Sequence, residues 1–233
     1  MAVGCVHGEF ANPEILQQVL DFKQRYKPEL RFDLGDLVDT TAFRSGARGT
    51  PDETRRPEPD EFAALRWIER YQPTHQVFGN HDWRLVELQG SPNAIISYAA
   101  GKLWTSITDA LRKVKARTKD YDFEYGAFEI GGTIWTHGCW YNESAVRDHA
   151  EYFGAPVVMA HLHVPQQVQG RTRAWSTSFC TGTLADVPAL KYSRRRRATS
   201  RWGHGVVWGE VSDKSAQLWL SSCEKGGTLR FPL

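Results

Sequence analysis

The residues that could do chemistry in this chain sit in five short polar clusters. They are Cys5-Val6-His7, Gly35-Asp36-Leu37-Val38-Asp39, Gly79-Asn80-His81-Asp82, Thr136-His137-Gly138 and Ala160-His161-Leu162-His163. Imidazoles, carboxylates, an amide and a thiol are the donors from which a pair of divalent ions is bound, and two ions about 3.5–4 Å apart can clamp the attacking and leaving oxygens of an in-line displacement at phosphorus. Such a site needs one carboxylate able to bridge both ions, and Asp36, next to Gly35 at a strand end, is the natural bridge. Asn80 can give its amide oxygen, and His137 supplies a further imidazole. Cys5 and His7 are one residue apart, as are His161 and His163, a spacing that on a strand puts both side chains of a pair on one side. A lone buried histidine is more often a hydrogen-bonded core residue than a ligand, so the weight rests on the set. Five of the eight histidines fall in these clusters, while His75, His149 and His204 read as structural.

Each cluster follows an apolar run: Ala2-Val3, Leu30 to Leu34, Gln76-Val77-Phe78, Thr133-Ile134-Trp135 and Pro156 to Met159. Short runs with β-branched and aromatic members read as buried strands. Ligands of open α/β sheets collect at the carboxyl ends of strands, so five such ends predict one shared cleft. Between them, Asn12 and Pro13 open a helix to about Tyr26, with Ile15, Leu16, Val19, Leu20 and Phe22 on one face. Residues 40–59, rich in Gly, Pro, Arg and Thr, predict a long loop. Glu61 to Tyr71 predicts a helix with Phe62, Leu65 and Ile68 inward. Residues 94–117 predict a mostly helical segment, with Leu103, Ile107, Leu111 and Val114 on one face; this segment and loop 40–59 are candidate cap elements beside the cleft. Asp122 to Ile130, Gly131-Gly132 and Thr133 to Thr136 read as a hairpin, and Glu143 to Phe153 as a helix. Beyond His163 the pattern is short strands at 167–169, 175–179, 205–211 and 216–220. An α/β half followed by a mostly β half predicts two stacked sheets with helices outside, in one domain spanning 1–233.

With 233 residues, 41% hydrophobic and 24% charged, the composition is that of a folded globular protein and excludes a disordered chain. No stretch approaches the roughly 18 apolar residues of a membrane span, and the first strand begins at Ala2 with no leader pattern, so a cytoplasmic location and no membrane partner are expected. Cys5, Cys139, Cys180 and Cys223 are far apart with no CxxC spacing, which argues against a structural zinc site or a disulfide framework. The net charge of +2 carries no general affinity for nucleic acid. Its distribution does more: Arg171, Arg173, Lys191, Arg194 to Arg197 and Arg201 share one stretch whose only acid is Asp186.

Taken in order, the five clusters resemble the blocks of the calcineurin-like metallophosphoesterases: Asp-x-His, Gly-Asp-x-x-Asp, Gly-Asn-His-Asp/Glu, a lone His, and Gly-His-x-His. The second and third blocks match fully, the first and fifth with one change each, over residues 5 to 163. The resemblance implies an α/β fold, a four-layer αββα sandwich of two mixed β-sheets flanked by helices. It implies two divalent ions as cofactors, ordinarily Mn²⁺, one held by His7, Asp36 and His163 with the Cys5 position, the other by Asp36, Asn80, His137 and His161. It further implies attack on phosphorus by a water or hydroxide between the ions, with His81 stabilising the transition state or protonating the leaving oxygen and Asp82 orienting its ring.

Cys5 stands where the family has Asp. A thiolate is a softer ligand and moves preference towards Zn²⁺ or Fe²⁺. Three outcomes are open: Cys5 ligates as thiolate, it stands aside and leaves one ion weakly held, or that ion is absent. With His7, Asp36 and His163 still in place, weakened but real occupancy is expected. Some relatives have lost ligands and serve as scaffolds; retention of His81 and Asp82 favours catalysis. The expected activity is metal-dependent hydrolysis of a phosphodiester, with nucleic acid as the candidate substrate. A small-molecule phosphomonoesterase is the alternative enzyme, and a non-catalytic, metal-stabilised interaction scaffold is the alternative class. Arg44 and Arg48 in the loop, Arg84 after the Asn80 block, and Arg194 and Arg195 with Tyr192 and Trp202 nearby are candidate contacts to phosphates and bases, against a solvated loop at 194–197 as the plainer reading. The chain's compactness resembles small phosphoesterases of phage and bacterial genomes, in which case the cytoplasm would be the host's. The sequence carries no mark of oligomeric state.

Overall fold

The computed structural model describes residues 1–170, 177–190, 197–223 and 226–231. Two mixed sheets stack face to face between helices, the arrangement expected from the sequence. The first sheet has six strands in the order β11-β10-β1-β2-β3-β4. These are β1 (Ala2–Val3), β2 (Phe32–Asp33), β3 (His75–Val77), β4 (Arg117–Lys119), β10 (His204–Val211) and β11 (Ala216–Cys223). β1 to β4 run parallel, and β10 and β11 close one side as an antiparallel pair. The second sheet, in the order β5-β6-β7-β9-β8, comprises β5 (Ala127–Ile130), β6 (Thr133–Thr136), β7 (Val157–Met159), β8 (Pro165–Gln169) and β9 (Thr177–Thr181). In it β6, β7 and β9 are parallel, with β5 and β8 antiparallel at the two edges.

Strand alternation builds the layers, because successive side chains leave a strand on opposite faces. Ala2, Phe32, Val77 and Val207 of the first sheet meet Phe128, Trp135, Val158 and Phe179 of the second in the central layer. Phe32 stacks on Trp135 there at 4.1 Å between ring centroids. The neighbouring residues Val3, Val206 and Trp208 turn the other way, into a core shared with helices α1 (Pro13–Tyr26), α2 (Glu58–Tyr71), α3 (Asn80–Leu88) and α4 (Ala94–Lys113). On the far side Ile134, Val157, Met159 and Cys180 pack on Val146 and Ala150 of α5 (Ala145–Phe153). Helix, sheet, sheet and helix thus make four layers.

α1 begins as its sequence predicts: Asn12 Oδ1 accepts the Glu14 and Ile15 N–H groups at 3.0 and 3.1 Å, and Pro13 occupies the first turn. Two expectations change. α2 starts at Glu58, and its buried stripe is Asp60, Ala64, Trp67, Ile68 and Tyr71, which leaves Phe62 66% exposed instead of inward. The predicted helix over 94–117 stops at Lys113, because Lys115 turns to φ 58° and Arg117 pairs with β3 as the start of edge strand β4. Leu103, Ile107 and Leu111 of α4 lie in the same core as Phe78 and Trp67, so this helix belongs to the outer layer on the first sheet. Residues 41–54 fold into three short 3₁₀ turns held by Arg44–Asp52 and Arg55–Glu9 ion pairs at 2.6 and 2.9 Å. No helix among the described residues is long and apolar enough to cross a membrane.

Candidate metal centre

All five polar clusters follow the carboxyl ends of parallel strands, β1, β2 and β3 in one sheet and β6 and β7 in the other, and they meet at one end of the sandwich. The loops are laced together through their backbones. Cys5 N–H donates to Gly35 O at 2.7 Å, His7 N–H to Asp36 O at 2.9 Å and Ala160 N–H to His137 O at 3.1 Å. Gly35, at φ +97°, lets the β2 and β3 loops touch; a Cβ there would lie 2.4 Å from Gly79 N.

The strand-alternation argument for the Cys5/His7 and His161/His163 pairs does not hold in detail. β1 ends at Val3 and β7 at Met159, and all four residues sit in the left-handed region at φ 55°, 55°, 64° and 59°, as does Asp36 at 57°. Non-glycine residues held there cost of order 1 kcal/mol each, and such strain gathers at sites where the surroundings over-determine side-chain direction. The directions converge all the same. Potential ligand atoms of Cys5, His7, Asp36 and His163 lie within 4.8 Å of one another, and those of Asp36, His137 and His161 form a second such group. Asn80 Oδ1 joins the second, 3.2 Å from His137 Nε2. Asp36 Oδ2 is shared, 3.8 Å from His7 Nε2 and 3.5 Å from His137 Nε2.

The donor chemistry of this cluster fits cations. His137 Nδ1 lies 2.6 Å from the Leu34 carbonyl, so it carries the proton and Nε2 presents a bare lone pair. That lone pair faces Asn80 Oδ1 and, at 3.1 Å, His161 Nδ1. His7 repeats the pattern. Its Nδ1 donates to Asp39 Oδ1 at 3.0 Å, leaving Nε2 aimed at His163 Nε2, also 3.0 Å away. Buried His163 Nδ1 has no partner among the described residues. Lone pairs facing lone pairs are stabilised by a positive charge between them. Burial holds His161 down to about 3, helped by His137, and keeps His137 and His163 below the usual histidine range, so all three are in the neutral form that ligates. Burial opposes ionisation of Asp36, but the histidines around it, of which His81 is the one held protonated, keep its carboxyl well below the usual carboxylate range.

His81 lines the cleft beside this cluster. Its Nδ1 donates to the Asp39 carbonyl at 2.8 Å with the Asp39 carboxylate 3.4 Å away, which leaves Nε2 for the cleft. Burial works against its protonation, and the Asp36 and Asp39 carboxylates outweigh it, lifting its pKa to about 9. Asp82 does not orient this ring. It is fully buried, and its carboxylate accepts the N–H groups of Asp36, Gly79 and Val38 at 2.8, 2.9 and 3.2 Å, pinning the β2 loop to the start of α3. Asp39 holds His81 in its place and also fixes His7, and buried Asp60 in turn accepts the Asp39 and Thr40 N–H groups. The second acid of Gly35-Asp36-Leu37-Val38-Asp39 was the only mark of Asp39 in the sequence. Nothing singled out Asp60. Asp82→Ala is therefore expected to orphan three buried donors and cost about 3 kcal/mol or more in urea unfolding, with Asp82→Asn costing less. A loss of turnover at unchanged stability in Asp82→Asn would return Asp82 to the chemistry.

Arg84 lies next to the site, but its Nη1 is spent on Asp39 O at 3.0 Å and Thr40 Oγ1 at 2.6 Å, where it clamps the loop. Arg44 is ion-paired to Asp52 away from the cleft, so its predicted phosphate contact is not supported. Arg194 and Arg195, like Arg171, Arg173, Lys191 and Tyr192, lie outside the described residues. Arg201 does reach the cleft, paired at 2.9 Å with Glu143. The cleft, about 410 Å³, is walled by Tyr141 and Trp202. Tyr141 is 86% exposed with its ring 6.5 Å from that of His161, and Trp202 meets His163 edge-on at 4.3 Å. His149 and His204 bond to backbone groups at 2.7 to 3.0 Å and serve the framework, as expected of them.

Among solved structures, a predicted phosphoesterase of Streptococcus pneumoniae TIGR4, a conserved uncharacterised protein, is 16% identical, with 100% of this chain and 92% of that chain covered and a TM-score of 0.41. Yfce, a phosphoesterase from E. coli, is 15% identical over 97% of this chain and 98% of its own, with a TM-score of 0.42. No curated protein matches the chain. The sequence profile of the calcineurin-like phosphoesterases matches residues 1–165, the span that contains every residue of the candidate metal centre, and the chain belongs to that family.

Proposed function

We propose that this chain is a metal-dependent phosphodiesterase that cuts nucleic acid. The observation that carries the reading is the pair of ligand groups sharing Asp36, set beside His81 in an open cleft with an aromatic side chain next to each group. His7, Asp36 and His163 with Cys5 would hold one ion, and Asp36, Asn80, His137 and His161 the other. Bound divalent ions supply charge to the phosphoryl oxygens and ease deprotonation of the attacking water. The chain's own side chains do the rest. His81, held through Nδ1 by Asp39, delivers the Nε2 proton to the departing ester oxygen. Tyr141 and Trp202 offer faces on which bases stack, and Arg201 offers a guanidinium to a neighbouring phosphate. A diester brings a group on each side of the reacting phosphorus, and this cleft has a wall for each.

The test compares an oligonucleotide with a small activated diester and a monoester. Tyr141→Ala, at an exposed position that leaves the core untouched, is expected to raise KM for the oligonucleotide about tenfold, since a base stack contributes roughly 1–3 kcal/mol. KM for the small diester stays within twofold or so. Equal effects on both substrates would remove the stacking role, and faster turnover of the monoester than of either diester would overturn the diesterase reading.

A further inference from the structure

We infer that Cys5 is a thiolate ligand that makes the two halves of the centre chemically unequal, so that the first half prefers Zn²⁺ to Mn²⁺ more strongly than the second does. This rests on the dinuclear reading above and deepens it.

Cys5 is fully buried and held on every side. Its N–H bonds to Gly35 O at 2.7 Å, and its carbonyl accepts Thr183 Oγ1–H at 2.7 Å and Leu184 N–H at 3.1 Å. The side chain therefore has one direction to go, into the group with His7, Asp36 and His163. There the sulfur accepts the His161 backbone N–H at 3.2 Å and its S–H donates to Asp36 Oδ2 at 3.9 Å. The other buried cysteine behaves differently. Cys180 donates its S–H to the Ala160 carbonyl at 3.1 Å, within an apolar core of Val157, Met159 and Val146, as a structural thiol does. Cys5 has no carbonyl acceptor among the described residues; its S–H is turned to the Asp36 carboxylate, so the sulfur sits among three other candidate ligands and not in an apolar core.

Counting donors separates the halves. The first offers one sulfur, two imidazole nitrogens and one carboxylate oxygen, a set suited to tetrahedral Zn²⁺ with a Zn–S distance of about 2.3 Å. The second offers two nitrogens and two oxygens from His137, His161, Asn80 and Asp36, a harder set that accepts Mn²⁺. When the ion binds, the thiol proton leaves to solvent, and the thiolate carries the same single negative charge as a carboxylate. The centre keeps its charge and changes its softness.

Cobalt reports both features without any turnover. Metal-free protein titrated with Co²⁺ is expected to develop weak visible d–d bands from the nitrogen and oxygen ligands, together with an intense near-ultraviolet sulfur-to-cobalt charge-transfer band. Cys5→Ser and Cys5→Asp keep the d–d bands and lose the charge-transfer band, and Cys180→Ser keeps both. In competition, wild type retains one Zn²⁺ against excess Mn²⁺, and Cys5→Asp lowers that preference about tenfold or more. Visible d–d bands without charge transfer in the wild type would leave the centre standing and overturn the role of Cys5. No d–d bands at all would overturn the dinuclear reading itself. A charge-transfer band that survives in both Cys5 variants would assign the sulfur to another cysteine and refute the proposal.

Discussion

Asp36→Asn is expected to lower metal content from two ions per chain to less than one and to reduce turnover by about 10³-fold or more. Asp36 is the one side chain that belongs to both ligand groups, with Oδ2 set between His7 Nε2 and His137 Nε2 and Oδ1 accepting the His81 N–H at 2.9 Å. An amide has no charge to share between two cations. It can also turn an NH₂ group towards the bare lone pairs, satisfying them by hydrogen bonds and removing the reason for cations to bind. Elemental analysis of the purified variant, beside its rate on an activated diester, checks both halves of the expectation. Two ions retained with normal affinity would show that Asp36 does not bridge.

His81→Ala should leave both ions and KM unchanged while kcat falls by roughly 10²–10⁴-fold, the range for losing a positioned general acid. The ring is not a member of either group that contains Asp36, and its Nδ1 is tied to Asp39. The loss should also depend on the leaving group. A nitrophenolate departs without help, so its hydrolysis suffers least; an alkoxide such as a ribose oxygen needs the proton, so its hydrolysis suffers most. A uniform loss across leaving groups would mean that His81 stabilises charge on the phosphoryl oxygens instead. An unchanged kcat on an alkyl leaving group would remove His81 from the mechanism.

What was legible in the sequence follows from the short range of the signals involved. An apolar run ending in a polar turn marks a buried strand and its carboxyl end, so Cys5, His7, Asp36, Asn80, His81, His137, His161 and His163 are placed at one rim by the sequence alone. The four-layer stacking rests on the same kind of signal, since Ala2 and Val3, or Ile134 and Trp135, must face opposite ways in a strand. The failures concern direction and distance. Asp82 follows His81 in the chain, but successive residues of a helical turn diverge by about 100°, so adjacency said nothing about contact. Asp39, two residues before the 3₁₀ turn that starts at Thr41, reaches His81 only because the β2 and β3 loops touch at Gly35 and Gly79. Arg44 reads as a free cation until the fold of 41–54 brings Asp52 to it. The positive φ at Cys5, His7, His161 and His163 leaves no mark in the sequence, because no glycine stands at any of the four positions.

The central claim, a two-ion phosphodiesterase built on Asp36, is tested most directly by metal stoichiometry measured together with turnover. Metal-free protein would be loaded in steps with Mn²⁺ or Zn²⁺ while hydrolysis of an activated phosphodiester is followed. Two ions bound per chain, with hydrolysis rising as the second binds, is the predicted result. One ion or none, with no hydrolysis at saturating metal, would contradict it and leave the chain a non-catalytic scaffold.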